Sequence, residues 1–150
     1  MKTSSDPRHQ ARKIALSVVY SVLNMGESDF TGADNEIITT TTDALQIEGY
    51  DEKTLNFILD GLTKQYLPLT ALIKKHSEEW ETESMYKIDL AILLIATLEL
   101  SNKSAPVKVI IDEAVELAKE FGHTESSKFI NGVLAGVTKE IYGDTGPTKN

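Results

Sequence analysis

Apolar residues recur along this chain at intervals of three and four, the period of an amphipathic α-helix, and strand-like alternation does not recur. The first such segment follows Asp6 and Pro7, a capping residue and a proline at the first helical position. It ends before Gly26. We therefore predict a first helix that buries one broad face, formed by Ala11, Ala15, Leu16, Val18, Val19, Val22 and Leu23.

The next part of the chain carries weaker helical signals. Residues 26–33 are predicted to form a loop. A helix is predicted over residues 34–47, although the threonines at 39–42 are β-branched and poor helix formers. Asp51 is placed to cap a further helix. Pro68 is expected to restart the chain into a separate short helix, because proline is disfavoured inside one.

The most apolar segment runs from residue 88 to residue 100 and follows Ser84, which leads into it. Its apolar positions fall on nearly all sides of a helix rather than on one stripe. Such a helix must be covered on every side by other elements. The pattern therefore predicts a central helix, packed by the others.

Two amphipathic helices follow the apolar segment. Pro106 opens the first, and Gly122 is expected to end it in the left-handed conformation. Thr124 is predicted to cap the second. Within that last helix, Gly132 and Gly136 would let the backbone approach a neighbour closely.

Together these segments predict an all-α protein of about seven helices with no sheet. The chain of 150 residues is long enough for one domain with a substantial core. We expect a basic N-terminal arm over residues 1–13 that leads into the first helix. The helical domain is expected to span residues 6–142, and residues 143–150 are expected to form a disordered tail.

Composition narrows the class of protein. Charged residues make up 25% and hydrophobic residues 41%, as in a soluble globular protein. The chain has no cysteine, which excludes disulfides and thiolate chemistry, and it starts without an apolar signal segment. The apolar run from Ile88 to Leu100 is too short to span a bilayer. We therefore expect a cytoplasmic protein that does not enter a membrane.

Charge is distributed unevenly along the chain. The formal net charge is −8, yet the first thirteen residues carry +3, from Lys2, Arg8, Arg12 and Lys13 against Asp6. From Ile14 to Glu52 there is no lysine or arginine. A basic arm before an acidic body is typical of nucleic-acid-binding tails. The alternative is that these charges simply form the solvated start of a helix.

No catalytic constellation stands out. The three histidines, His9, His76 and His123, are scattered, and no pair has the spacing of metal ligands. Glu120 and His123 have the Glu-x-x-His spacing of di-iron bundles, but Gly122 separates them and a second such motif is absent. We therefore expect neither an enzyme nor a metal or other cofactor.

Three stretches match the motifs of one known family. One is ARKIALSVVY, similar to an arginine-rich first helix that ends in an aromatic residue. Another is IDLAILLIATLEL, followed by a helix that starts at proline. The third, IDEAVELAKEFG with SSKFINGVL, is similar to INEAVELAKxFG and KFVNGVL. By these stretches the chain resembles the NusB family of transcription antitermination factors.

The resemblance implies an all-α fold of two helical subdomains and a role without catalysis. Members bind the boxA sequence of nascent single-stranded RNA, usually with the ribosomal protein NusE, in a complex that helps RNA polymerase read through terminators. Transcription of ribosomal RNA operons is the main setting. A homodimer is a further possibility that the sequence leaves open.

Carried over position by position, the resemblance nominates two groups of residues. The expected RNA-binding residues are Arg8, His9, Arg12 and Lys13 in the arm, with Glu125, Lys128 and Phe129 at the start of the last helix. The expected protein-partner residues are Tyr20 and Asp89. At the last helix, Lys128 would add charge and Phe129 would stack on a base. The alternative for Phe129 is a core position, because it lies four residues before Val133.

The sequence also departs from the family pattern. Leu94 stands where the family usually has arginine, Leu98 where tyrosine is common, and Asp112 replaces the asparagine of INEA. These changes leave open a second hypothesis, a protein-interaction adaptor of the same fold that has lost RNA binding. A third, a fragment of a ribosomal RNA cytosine methyltransferase with a NusB-like domain, is disfavoured because no catalytic domain follows.

Overall fold

A computed structural model describes residues 6–32, 35–78 and 85–143 of the protein. Within these residues there are six helices and no strand, which confirms the all-α prediction. The predicted tail lies outside the described residues except for Gly143, and so does Ser84. The helices are α1 (Pro7–Asn24), α2 (Asn35–Ala44), α3 (Glu52–Ser77), α4 (Lys87–Asn102), α5 (Val107–Phe121) and α6 (Ser126–Tyr142).

The chain divides into two compact units, Met1–Lys64 and Gln65–Asn150, and α3 passes from the first into the second. In the first unit α1 packs against α2. The loop between them is anchored by Phe30, which is fully buried and whose N–H donates to Thr63 Oγ1 over 2.9 Å. This arrangement agrees with the two helical subdomains that the resemblance implies.

Side-chain caps begin α1 and α3, as the sequence predicts. Asp6 Oδ1 accepts a hydrogen bond from the Arg8 N–H over 2.9 Å, and Pro7 occupies the first turn of α1. Asp51 Oδ2 accepts from the Thr54 N–H over 3.1 Å. Each carboxylate satisfies a backbone donor that has no partner within the helix. Both predicted caps are confirmed.

The predicted restart at Pro68 is wrong, because α3 continues through it. Proline removes one backbone donor, which leaves the carbonyl of Lys64 without its usual helical partner. Leu62, Leu69 and Ile73 are buried before and after the proline. Each buried aliphatic side chain stabilises the fold by about 1.5–3 kcal/mol, so together they outweigh one lost hydrogen bond.

The second unit is organised around α4, with α5 and α6 packed on it and on each other. Every residue of α4 from Ala91 to Leu100 is buried, which confirms the predicted central helix. At Gly136 of α6, an added Cβ would lie 2.6 Å from Nδ1 of His76, so this glycine permits the close approach expected of it. His76 Nε2 lies 2.6 Å from Glu140 Oε1 on the next turn.

Candidate nucleic-acid interface

The start of α1 exposes only part of the predicted basic arm. Arg8 is exposed and Lys13 is partly exposed, but His9 and Arg12 are buried, with 8% and 5% of their surface accessible. Residues 9 and 12 fall on the same helical stripe as Leu16, which explains their burial. That spacing is a signal in the sequence that could have separated them from Arg8. His9, Arg12 and Lys13 all interact with other groups of the protein.

Arg8 has an acidic neighbour within the first unit. The pKa of Asp51 lies below its ordinary value, mainly because the Thr54 hydroxyl donates a hydrogen bond to its carboxylate. The positive charges of Lys53 and Arg8 lower it further. The field of Arg8 is thus partly balanced by Asp51, while the guanidinium remains open to solvent.

The bend between α5 and α6 is built around a close backbone approach at Gly122. Its φ of −91° and ψ of −173° are extended, so the predicted left-handed stop is wrong. A Cβ at this position would lie 2.7 Å from the carbonyl oxygen of Ala118 and 2.7 Å from Cβ of Ser126. Glycine is therefore required by lack of space rather than by a positive φ.

The start of α6 differs from the prediction as well, because Thr124 does not cap it. Glu125 occupies the N-cap position, and among the described residues its side chain makes no capping hydrogen bond. Instead, the buried Ser126 accepts from the His123 N–H over 2.9 Å through its Oγ. Ser126 lies on the stripe of Ile130, four residues further on, and that spacing could have marked it as a buried residue.

Asp89 of α4 is the tertiary partner of this helix start. Only 4% of its surface is accessible. Burial raises the pKa of its carboxyl, whereas a hydrogen bond with Ser126 and the charge of His123 each lower that pKa by less. Its Oδ1 finds no hydrogen-bond partner within the described part of the chain. The residue nominated as a partner contact therefore lies inside the second unit. Tyr20 of α1, the other nominee, is 40% exposed.

The first turn of α6 exposes one cation and buries the aromatic ring beside it. Lys128 and Glu125 are exposed, whereas Phe129 has 8% of its surface accessible. The position of Phe129 fits the core alternative, because it lies four residues before the fully buried Val133. The arrangement offers a lysine next to a helix N-terminus, whose first amide groups suit an anion.

Comparison with known proteins identifies the family. The NusB family model matches residues 9–139. The chain belongs to the NusB family. It is 38% identical over 130 residues to the transcription antitermination protein NusB of Halothermothrix orenii, a match that covers 85% of this chain and 93% of that protein. The NusB of Fusobacterium nucleatum is 39% identical over 92 residues, covering 59% of this chain and 60% of the relative.

The fold agrees with a solved structure of the family. T. maritima NusB superposes with a TM-score of 0.72 at 27% identity, covering 99% of this chain and 97% of that one. The resemblance seen in three sequence stretches therefore extends over nearly the whole chain. NusB relatives are named as transcription antitermination proteins.

The positions that depart from the NusB pattern lie in different environments. Leu94 and Leu98 are fully buried in α4. Asp112 is exposed on α5, where its Oδ2 lies 3.5 Å from Nζ of Lys108, one turn earlier. The leucines therefore add to the core, and the added carboxylate is partly neutralised by its own helix.

Within the described residues, no helix is sufficiently long and apolar to span a membrane. No group of three or more histidine, cysteine, aspartate or glutamate side chains in these residues is placed to hold a metal ion.

Proposed function

We propose that this protein is an RNA-binding transcription antitermination factor that recognises boxA-like nascent RNA together with NusE and supports transcription of ribosomal RNA operons. The observation that carries the proposal is its likeness along nearly the whole chain to proteins named transcription antitermination protein NusB. Its role would be to bind and present RNA to the transcription complex rather than to catalyse a reaction.

Arg8 and Lys128 are the residues best suited to contact phosphates. Both are exposed, and each lies in the first turn of a helix. At α6 the lysine lies beside the first amide groups of the helix, to which the N-cap side chain makes no hydrogen bond, and such a helix start favours a bound anion. The burial of His9 and Arg12 gives them a supporting role, in which they hold α1 in place so that Arg8 faces solvent.

Phe129 would support the RNA site from beneath. Because its ring is buried, it cannot offer an open face to a base in the unbound protein. Packed in the core, it instead fixes the first turn of α6 and with it the direction of Lys128. Loss of the Phe129 ring would therefore lower the stability of the fold rather than remove a stacking contact with RNA.

The net charge of the protein favours a basic partner protein. A protein of net charge −8 repels RNA at long range, and a few phosphate contacts cannot give tight binding alone. A basic protein such as NusE would be attracted by the acidic surface and would bring phosphate contacts of its own. Tyr20, with 40% of its surface accessible, is the nominated partner residue that such a protein could touch directly.

Binding measurements on three pairings test the proposal. We expect micromolar or weaker affinity for boxA-like RNA alone, a stable complex with NusE, and at least tenfold tighter RNA binding once NusE is present, about 1.4 kcal/mol of coupling. By reciprocity, RNA should tighten the NusE complex by the same factor. Isothermal calorimetry measures all three. No binding of NusE at micromolar concentration in low salt would overturn the partner proposal.

Single charge removals sharpen the test. Arg8→Ala and Lys128→Ala should each weaken the binding of RNA by a similar factor whatever its sequence. Each should also reduce the slope of log affinity against log salt concentration by about one, the loss of one phosphate contact. Lys74→Ala, which removes an exposed lysine from α3, is the matched control. If all three variants show the same salt slope as the wild type, the RNA site lies elsewhere.

A second candidate is the protein-interaction adaptor. The observation that favours it is the loss of accessible positive charge, since His9 and Arg12 are buried and Leu94 replaces the usual arginine. Such a protein would bind NusE but show no RNA affinity above that of NusE alone. The calorimetric experiment separates the two candidates by this outcome.

A further inference from the structure

An exposed aromatic pair lies at the bend and belongs to none of the residues that the sequence nominated. Tyr86 precedes α4, and His123 lies between α5 and α6. Their rings are stacked, with centroids 3.8 Å apart and an angle of 25° between the ring planes. Both side chains are nevertheless exposed, and Tyr86 has 58% of its surface accessible.

The stack leaves much of Tyr86 accessible. Each ring covers one face of the other, and more than half of the surface of Tyr86 still faces solvent. A flat, unobstructed ring face at the end of a two-ring stack is the surface on which a third planar ring can lie. Offset stacking of this kind is the preferred geometry of aromatic groups.

The pair is held in place from both sides. The Tyr86 carbonyl accepts the first helical hydrogen bond of α4, from the Leu90 N–H over 3.0 Å. The His123 N–H donates to the buried Ser126 Oγ, which is also bonded to Asp89. Both backbones are thus fixed before any ligand arrives, which lowers the entropy lost on binding.

Charges near the pair suit a nucleotide. Lys87 follows Tyr86 directly and Lys128 lies in the first turn of α6, and both are exposed. Glu120 and Glu125 are exposed carboxylates near the same bend, so the two lysines, rather than the net local charge, would hold a phosphate. Proteins that bind single-stranded nucleic acids combine a ring face with nearby flexible cations. The base stacks on the ring and the phosphate lies near the lysine.

We propose that the Tyr86–His123 stack is a platform for one unpaired base of the bound single-stranded RNA. The proposal rests on the proposed function and deepens it, because it assigns a base-stacking surface where Phe129 is buried. Stacking on a ring tolerates any base, so the platform adds affinity without reading sequence.

The test combines protein variants with RNA that lacks single bases. Tyr86→Ala should weaken binding about tenfold, and Tyr86→Phe should bind within about twofold of the wild type because the ring remains. His123→Ala should also weaken binding, while its backbone N–H still serves Ser126. Val109→Ala, which trims an exposed apolar side chain on α5, is the matched control and should leave affinity unchanged.

Abasic RNA locates the base. In the wild type, removal of one particular base should weaken binding by the same factor as Tyr86→Ala, and the two changes together should cost no more than either alone. A fluorescent 2-aminopurine at that position should be quenched on binding to the unmodified protein. This measurement needs no variant, so it stands even if a substitution disturbs folding.

The possible failures are distinguishable. If the wild type binds RNA and both alanine variants bind equally well with no quenching at any position, the platform is refuted and the RNA-binding function stands. If Tyr86→Ala weakens the NusE complex instead, the pair is a protein contact and the platform is refuted. If the wild type binds no RNA with NusE present, the proposed function and the platform fall together.

Discussion

The helices α1 and α6 begin in different ways, although each begins with residues nominated for RNA binding. Three consecutive residues begin α1. Asp6 supplies the capping carboxylate, Pro7 lies in the first turn, and the N–H of Arg8 donates to the cap. At α6, the N-cap side chain makes no capping bond among the described residues. That start is instead fixed by Ser126, which bonds to His123 and to Asp89 of another helix.

The difference shows that a helix start can be secured locally or by tertiary contacts, and that the two respond differently to mutation. A local cap is worth about 1 kcal/mol and can be lost without disturbing a core. A start secured through buried groups is coupled to packing, so its disruption costs more. Both starts nonetheless place one exposed cation in the first turn, Arg8 in α1 and Lys128 in α6.

The largest effect is expected from Phe129→Ala, which removes the buried ring under the start of α6. Truncation of a buried phenylalanine should lower the free energy of unfolding by about 3–5 kcal/mol. A thermal melt followed by circular dichroism measures the loss. Lys128→Ala, one residue earlier and exposed, is the control and should change stability by less than about 0.5 kcal/mol. An unchanged melting temperature in Phe129→Ala would contradict the core position.

Gly122→Ala should come next. The new Cβ would meet the backbone oxygen of Ala118 at 2.7 Å, and backbone cannot rotate away as a side chain can. We expect a loss of about 1–3 kcal/mol, the usual cost of overpacking. Gly32→Ala is the control, because a Cβ there would have nothing within 4 Å. Equal unfolding midpoints in denaturant for the two variants would show that the bend can relax.

A smaller effect is expected at the local cap of α1. Asp6→Ala removes the acceptor for the Arg8 N–H and should cost about 1 kcal/mol, while Asp6→Asn keeps an oxygen there and should cost less. Glu125→Ala is the counterpart at α6 and should be nearly neutral, because this side chain makes no capping bond with described residues. Urea unfolding of the three variants measures the contrast. A greater loss at Glu125 than at Asp6 would reverse the comparison.

The smallest effect is a pH dependence at α6. The pKa of Asp89 is raised in the folded state, so its stabilising contribution is complete below the ordinary value of 3.8 and is lost as pH rises through the folded-state pKa. Asp89→Asn does not titrate. The stability of the variant relative to the wild type should therefore rise between pH 3 and pH 7, by less than about 1 kcal/mol. A difference independent of pH would show that Asp89 is not destabilised by burial.

Much of the fold can be predicted from the sequence because local signals determine it. The cap at Asp6 and the all-round apolar pattern of α4 both appear in the structure as expected. The break at Pro68 and the left-handed conformation at Gly122 were not found, because buried neighbours and steric crowding outweighed the local preference of each residue. The sequence shows the conformation that each residue prefers by itself, whereas packing determines whether the fold adopts it.

The candidate interface is predictable only in part. Helical spacing from the core residues separates exposed Arg8 and Lys128 from buried Arg12 and Phe129, so that part was within reach of the sequence. The stack of Tyr86 on His123 was not, because the two residues are 37 positions apart and nothing local links them.

The order of the helices along the chain has a consequence for protein synthesis. The apolar helix α4 leaves the ribosome before α5 and α6, which pack on it. Another 40 residues, 103 to 142, must emerge before α6 is complete, which takes roughly 2–8 s at about 5–20 residues per second. α4 lacks both helices until Phe121 has emerged and lacks α6 for the rest of that interval, so it is a suitable ligand for chaperones on nascent chains. Slower translation of this segment should therefore lower the soluble yield.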